Sequence, residues 1–409
     1  MKDNQAKYPQ LRFKGFTDPW EQRKLGDLAK IVRGASPRPI KDPKWFDKGS
    51  DIGWLRIADV TAQNGQIYHL EQHISKLGQE KTRVLTTSHL LLSIAASVGK
   101  PVINHVKTGV HDGFLIFLSP RFNINFMYHW FEIYQKNWQR FGQPGSQVNL
   151  NSDLVKNQEI RIPNSDEQEK ISSFLQSLDN LITLHQRKLA KLKKLKQGYL
   201  QKLFPENGSK FPQLRFAGFA DAWEQRKLGD FSDIRDGTHD SPKYISYGHP
   251  MVTSKNLTDS GLDMENVSFL TDEDFYEINK RSRVNIGDIL FGMIGTIGNP
   301  VIVDRDDFAI KNVALIKEKN SDPIINRWLL QYLKSPSFNR FIKKENAGGT
   351  QKFIALGLIR DMKLRVPELE EQQKIGTFFQ QVDDTITLHQ RKLEKLQELK
   401  KGYLQKMFC

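Results

Sequence analysis

Thr183-Leu-His-Gln-Arg-Lys-Leu189 occurs again as Thr387-Leu-His-Gln-Arg-Lys-Leu393, and Gly198-Tyr-Leu-Gln-Lys202 again as Gly402-Tyr-Leu-Gln-Lys406. Around these markers apolar residues recur at alternating steps of four and three. In the first copy Leu175, Ile182, Leu189 and Leu203 form one row, and Leu178, Leu192 and Tyr199 the other. In the second copy the rows are Phe379, Ile386, Leu393 and Met407, and Val382, Leu396 and Tyr403. A mean spacing of about 3.5 residues is the seam of a coiled coil. It predicts two helices of roughly 38 residues, each about 57 Å long. Both copies break the seam at the same places, with His185 and His389 on one row and Lys196 and Lys400 on the other. A buried polar residue costs stability but fixes register and partner. Matched defects therefore favour mutual pairing over two separately solvated amphipathic helices.

The repeat extends outward. Tyr8 to Asp27 aligns with Phe211 to Asp230, with 16 of 20 positions identical, including Trp20-Glu-Gln-Arg-Lys-Leu-Gly-Asp27 and Trp223 to Asp230. Each half thus reads as a shared lead-in, a divergent middle and a shared long helix, which implies two like modules related by an approximate symmetry, a pseudo-two-fold one if the long helices pair antiparallel. The middles, 28–160 and 231–364, keep a faint common skeleton. Ser97-Val-Gly-Lys-Pro-Val-Ile103 echoes Thr296-Ile-Gly-Asn-Pro-Val-Ile302, and Arg161-Ile-Pro163 echoes Arg365-Val-Pro367. Runs at Leu90 to Ile94, Leu115 to Leu118, Ile289 to Ile294 and Val313 to Ile316 read as strands between turn residues. Helices are expected at Asn125 to Phe141 and Ile324 to Glu345. The expected architecture is α+β, with two similar domains (1–164 and 211–368) alternating with two long helices (165–204 and 369–409) that pair as an antiparallel coiled coil. A short linker, 205–210, joins the halves.

Composition narrows the partners. Among 409 residues Lys plus Arg number 61 against 47 Asp plus Glu, a net charge of +14. That balance favours a polyanion, nucleic acid before membrane. The single cysteine is Cys409, so a disulfide framework is not expected and a reducing cytoplasm fits. The first ten residues lack a signal-peptide core, and the apolar run near Leu90 to Val98 is too short to span a bilayer.

The Trp-Glu-Gln-Arg-Lys-Leu-Gly-Asp lead-in, the approach to each helix (Pro163, Glu167, Gln168; Pro367, Glu371, Gln372) and the paired repeats resemble the specificity subunit of type I DNA restriction-modification systems. The resemblance covers essentially the whole chain. It implies two target-recognition domains, each reading one half of an asymmetric bipartite DNA site. It further implies helices that set the spacer and dock two modification subunits, to which restriction subunits add. S-adenosylmethionine, ATP and Mg2+ would belong to those partners, and this chain would be a non-catalytic reader in the cytoplasm.

The residues agree. An adenine methyltransferase of this class needs an Asn/Asp-Pro-Pro-aromatic loop around the flipped base, and no Pro-Pro dipeptide occurs. Phe291-Gly-Met-Ile-Gly-Thr-Ile-Gly298 has the wrong spacing for a dinucleotide fingerprint and reads as a tight β-turn. Gly99-Lys100 is followed by Pro101, so it is not a phosphate-binding loop. Asp306 and Asp307 near Lys311 are too ordinary a grouping to mark a nuclease, and the ten histidines lack metal-ligand spacing. Base reading needs paired donors and acceptors on loops, with basic residues beside them for phosphate. In the first half the candidates are Arg33, Ser36, Arg38 and Lys41; Ser97 and Lys100; and Ser146, Gln147 and Asn149. In the second they are Arg235, Thr238, His239 and Lys243; Ser254, Lys255 and Asn256; Thr296; and Thr350, Gln351 and Lys352. The rival reading is a coiled-coil adaptor that binds no DNA, and salt-sensitive DNA binding separates the two.

Overall fold

A computed structural model describes residues 8–95, 97–138, 150–206, 208–240, 242–259, 261–319, 325–345 and 353–408. The chain divides into two compact units, Met1–Leu184 with Leu393–Cys409, and His185–Lys392.

In unit one the lead-in strand Glu21–Lys24 pairs antiparallel with Glu159–Ile162, immediately before the first long helix. The main sheet has five strands in the order Lys30–Arg33, Phe114–Leu118, Leu90–Ser93, Pro101–Asn104 and Gln66–Ile67. Leu90–Ser93 is buried at every position, which is why it reads as an unbroken apolar run rather than an alternating one. A smaller sheet places Thr108–Val110 between Gly53–Leu55 and Arg83–Leu85. The helix Ile124–Trp138 lies on the main sheet, its Phe126, Met127 and Phe131 packed in one core with Leu90, Leu115 and Phe117.

Unit two repeats this plan. Glu224–Lys227 pairs with Lys363–Val366, and the main sheet runs Ser232–Asp236, Val313–Glu318, Ile289–Gly292 and Gly298–Ile302. Its smaller sheet departs from the first. Both units keep one parallel pair, Gly53–Leu55 with Thr108–Val110 and His249–Thr253 with Ala309–Lys311. The third strand joins opposite sides, Arg83–Leu85 adding to Thr108–Val110 and Ser268–Leu270 to His249–Thr253.

The expected helix Ile324 to Glu345 is two helices, Asn326–Lys334 and Pro336–Glu345. Proline has no N–H and pushes the residue before it out of helical geometry. Ser335 is accordingly extended (φ −67°, ψ 152°), and its hydroxyl accepts from Phe338 N to cap the second piece. The glycine-rich run at Phe291 is a hairpin turn between Ile289–Gly292 and Gly298–Ile302, a strand–turn–strand unit. Its Gly298 (φ +95°) and the matching Gly99 (φ +78°) adopt left-handed conformations that side chains disfavour, so the echo between the middles is a shared turn.

The long helices run Ser165–Lys202 and Leu369–Phe408. All the seam residues named above are buried or half-buried. In unit two His185 meets His389, Lys196 meets Asp383, and Tyr199 meets Phe378. In unit one Phe174 meets Tyr403 and Asp179 meets Lys400. Numbers rise on one helix as they fall on the other, so the pairing is antiparallel. Each core is therefore closed by the end of the other copy's helix. Met407 and Phe408 pack with Trp20, Phe126 and Leu175 in unit one, while Leu203 and Phe204 pack with Trp223, Trp328 and Phe379 in unit two.

Candidate nucleic-acid interface

The shared motifs serve as clamps beneath the divergent middles. Arg12 donates two hydrogen bonds to the fully buried Glu167 at 2.6 and 2.7 Å. Arg215 donates two to the equally buried Glu371 at 2.8 and 2.7 Å. The neighbouring glutamines tie the helix starts to the domains. Gln168 accepts from Asn123 N and donates to Pro163 O, and Gln372 accepts from Ile325 N and donates to Pro367 O. Two-pronged guanidinium–carboxylate pairing explains why these residue types recur together.

The first strand of each main sheet leads into a loop held by a similar pair of backbone hydrogen bonds. Gly34 N donates to Phe114 O and Ala35 N to Val110 O, as Gly237 N does to Val313 O and Thr238 N to Ile310 O. A Cβ on Gly34 would meet His111 O at 2.1 Å, and one on Gly237 would meet Ile310 O at 2.3 Å. Only glycine permits so close a crossing.

The side chains beyond that crossing differ. In unit one Asp112 gathers the loop, with Ser36 Oγ donating to Oδ1 at 2.8 Å, Arg38 Nη2 to Oδ2 at 2.7 Å, and Arg33 Nε to its carbonyl at 2.6 Å. Burial pushes the Asp112 carboxyl up, but the Ser36 hydroxyl and the Arg38 charge outweigh it and hold it below the usual value. Arg38 keeps most of its side chain in solvent. Lys41 lines an open groove of about 910 Å³ with Phe46, Trp54 and Arg56. In unit two His239 stands at the position of Ser36. Its Nδ1 faces Asn312 Oδ1 at 2.8 Å and its Nε2 faces Asp236 Oδ2 at 2.9 Å. Both ring nitrogens thus face acceptors, and the Asn312 and Asp236 bonds raise the pKa of the ring. Arg281 pairs with the same Asp236. Arg235 bonds Asp233 and the Arg281 carbonyl, and Thr238 lines a pocket of about 330 Å³ with Asp240 and Arg281.

The remaining candidates divide. Lys243, Lys255 and Thr296 are exposed, and Ser97 and Lys100 are half-buried in the hairpin turn. Ser254 and Asn256 turn inward instead. The Ser254 hydroxyl donates to Ile294 O, while Asn256 accepts from Thr253 and donates to Asp263 O and Asn266 O. A side chain spent on buried internal bonds is not free to meet a base. Ser146, Gln147, Asn149, Thr350, Gln351 and Lys352 lie outside the described residues. The sequence reading missed Asp112, Asp236, Arg281 and Asn312, the residues that hold the loops. Gly34 and Gly237 at matched positions were the available signal, since each marks a strand crossing close over another backbone. The seam lysines are polar defects by their spacing alone. Each is ion-paired, Lys196 with Asp383 and Lys400 with Glu132 and Asp179. Among the described residues no helix is long and apolar enough to cross a membrane.

Two like domains that carry different polar loops on identical clamps, joined by paired helices, define a two-headed recognition protein. The family described as Type I restriction modification DNA specificity domain matches residues 17–194 and 220–398. The chain belongs to that family and is a type I restriction-modification specificity subunit with two target-recognition domains, a class of subunit that is not itself catalytic. It is 23% identical over 403 residues to the type I restriction enzyme MjaVIII specificity subunit of Methanocaldococcus jannaschii, covering 94% of this chain and 91% of the relative. It is 24% identical over 412 residues to the putative MjaX specificity subunit of the same organism, with the same coverage. The fold is shared with the type I restriction-modification S subunit from M. genitalium, at TM-score 0.66 and 15% identity over 98% of this chain and 99% of that one. A chain from a study of type I complex assembly and conformational transition matches at TM-score 0.54, with 17% identity and coverage of 96% and 99%. DNA and a modification subunit are accordingly its partners.

Proposed function

We propose that domains 1–164 and 211–368 each read one half of an asymmetric bipartite site, with the helices 165–204 and 369–409 setting the spacer. The observation that carries this reading is the contrast between identical clamps and unlike loops: matching frames hold the Asp112 cluster in one domain and the Asp236–His239–Asn312 cluster in the other. Unlike donor and acceptor sets read unlike bases. Arg38, Lys41, Lys100, Lys243 and Lys255 supply phosphate contacts beside them, in keeping with the net charge of +14.

Two modification subunits dock on the helices. Leu192, Leu195, Gly198 and Leu214 line an apolar groove of about 710 Å³ framed by Lys188, Lys191, Lys194 and Lys202. The matched positions of the other copy repeat these residues, with Glu398 in place of Lys194. Leu195 and Leu399 are 50% and 41% exposed, and Leu184 and Leu388 59% and 51%. Leucines that recur while exposed have no packing reason to do so within this chain, and a duplicated docking face suits two copies of one partner. S-adenosylmethionine, ATP and Mg2+ are then used by the partners, in the cytoplasm where the DNA is.

Adenine methylation mapped across a genome, with this chain expressed beside its modification subunit, tests the reading. The expected result is a motif of two unlike halves that appears only when the chain is present. An assembled complex that leaves a single continuous motif, or none, overturns it. The native mass of the complex reads the number of modification subunits.

A further inference from the structure

Each unit half-buries a lysine where its two stretches of long helix meet the recognition domain. In unit one Lys400 Nζ lies 2.7 Å from Asp179 Oδ1 and 2.9 Å from Glu132 Oε2. Lys400 and Asp179 come from the two long helices, whereas Glu132 comes from the domain helix Ile124–Trp138. His129, one turn earlier, faces Glu132 at 2.8 Å. Unit two has the same construction 204 residues away. Lys196 Nζ lies 2.6 Å from Asp383 Oδ1, and Gln331 of the domain helix Asn326–Lys334 donates to Asp383 Oδ2 at 3.2 Å.

His129, Glu132 and Asp179 offer three donor atoms within 4.8 Å of one another. The Lys400 ammonium already sits on both carboxylates and supplies the positive charge. Burial disfavours a charged amine, but Glu132 and Asp179 outweigh it and raise the pKa above the ordinary lysine value. Here three charges gathered in a half-buried space act as a geometric constraint, since a partner left unpaired away from water is disfavoured.

We propose that these joints fix each recognition domain axially on its stretch of paired helix and so determine which spacer length the protein accepts. This rests on the bipartite reading above. Apolar packing is non-directional and tolerates sliding, whereas an ion pair at hydrogen-bond distance does not. A slip of two helical residues moves a domain by about 3 Å, close to the roughly 3.4 Å between successive base pairs. The joints are unequal. Unit one places a second carboxylate, Glu132, on its lysine. At the matched place unit two brings Lys334, whose pKa is lowered by burial and then by Lys196. Unit one is therefore the firmer joint.

The test uses the complex assembled with its modification subunit and three duplexes that share both half-sites and differ by one base pair of spacer to either side. The wild type prefers one spacer. Glu132→Gln, which keeps the shape but loses the charge, is expected to reduce that preference on the order of tenfold without changing either half-site, and Glu132→Asp retains more of it. Lys334→Glu, which gives Lys196 a second carboxylate, is expected to sharpen it. A variant that merely weakens the fold lowers affinity for all three duplexes together and leaves their ratio unchanged. That result, with both variants assembled and helical by circular dichroism, overturns the proposal. A wild-type complex that binds no bipartite duplex fails the underlying reading instead.

Discussion

The clamps of the two units match almost atom for atom, while the loops they support do not. Arg12–Glu167 and Arg215–Glu371 use the same groups in the same two-pronged pairing, and Gln168 and Gln372 tie down matching backbone. Beyond Gly34 and Gly237, unit one builds on a carboxylate that gathers Ser36 and Arg38, and unit two on a histidine held between Asp236 and Asn312. Even the small sheets add their third strand on opposite sides. A buried ionic frame tolerates little substitution, because one missing partner strands a charge. Loops over that frame answer only to what they bind.

The clamp gives the largest expected effect. Arg12→Ala leaves the Glu167 carboxylate buried and unpaired, and should cost about 3–5 kcal/mol in chemical unfolding. Arg215→Ala should cost about 1.5 kcal/mol less, because Trp223 Nε1 still donates to Glu371 at 3.1 Å. The matching Trp20 Nε1 makes no such bond. Equal losses would break this distinction between the frames.

Helix-end exchange comes next. Met407 is buried in the core of unit one, so Met407→Ala should cost that unit about 2–3 kcal/mol. Leu203→Ala should cost unit two a similar amount. Hydrogen exchange read segment by segment is expected to quicken in residues 20–135 for the first variant and in 223–366 for the second. Loss in the opposite unit would contradict the observed cores.

The smallest effect is a pH response confined to unit two. His239 has its pKa raised by Asn312 and Asp236. Its protonated form is thus favoured in the folded state, and the stabilisation is full below the ordinary value of 6.5 and lost as pH rises through the raised value. The 237–240 loop should loosen with rising pH, read as amide exchange corrected for intrinsic rates. The unit-one loop, with Ser36 in that place, should not respond across the same range. His239→Asn should abolish the difference.

Legibility followed the range of the forces involved. The seam was readable because its period is local, and its residues are buried or half-buried where the spacing put them. The break at Pro336 was written in the sequence as well, although apolar content on both sides masked it. Asp112 was not legible as the centre of a loop cluster, since it lies 76 residues from Ser36 and no pattern links them. Ser254 and Asn256 looked like surface loop residues because their type suits a turn, and only packing shows that they face inward.

Repetition of lead-in and helix, spacing of the seam and divergence of the middles were fixed by the amino-acid order alone. Periodicity and identity between two copies can be read without coordinates, and they suffice for the two-domain plan on paired helices. Tertiary structure decided which charges meet. It turned two apparent seam defects into ion pairs, assigned Glu132 to one lysine and Gln331 to the other pair's aspartate, and closed each core with the far end of the other copy's helix. Such pairings depend on which distant segments share a buried space, where an unpartnered charge is costly and a partnered one is held in place.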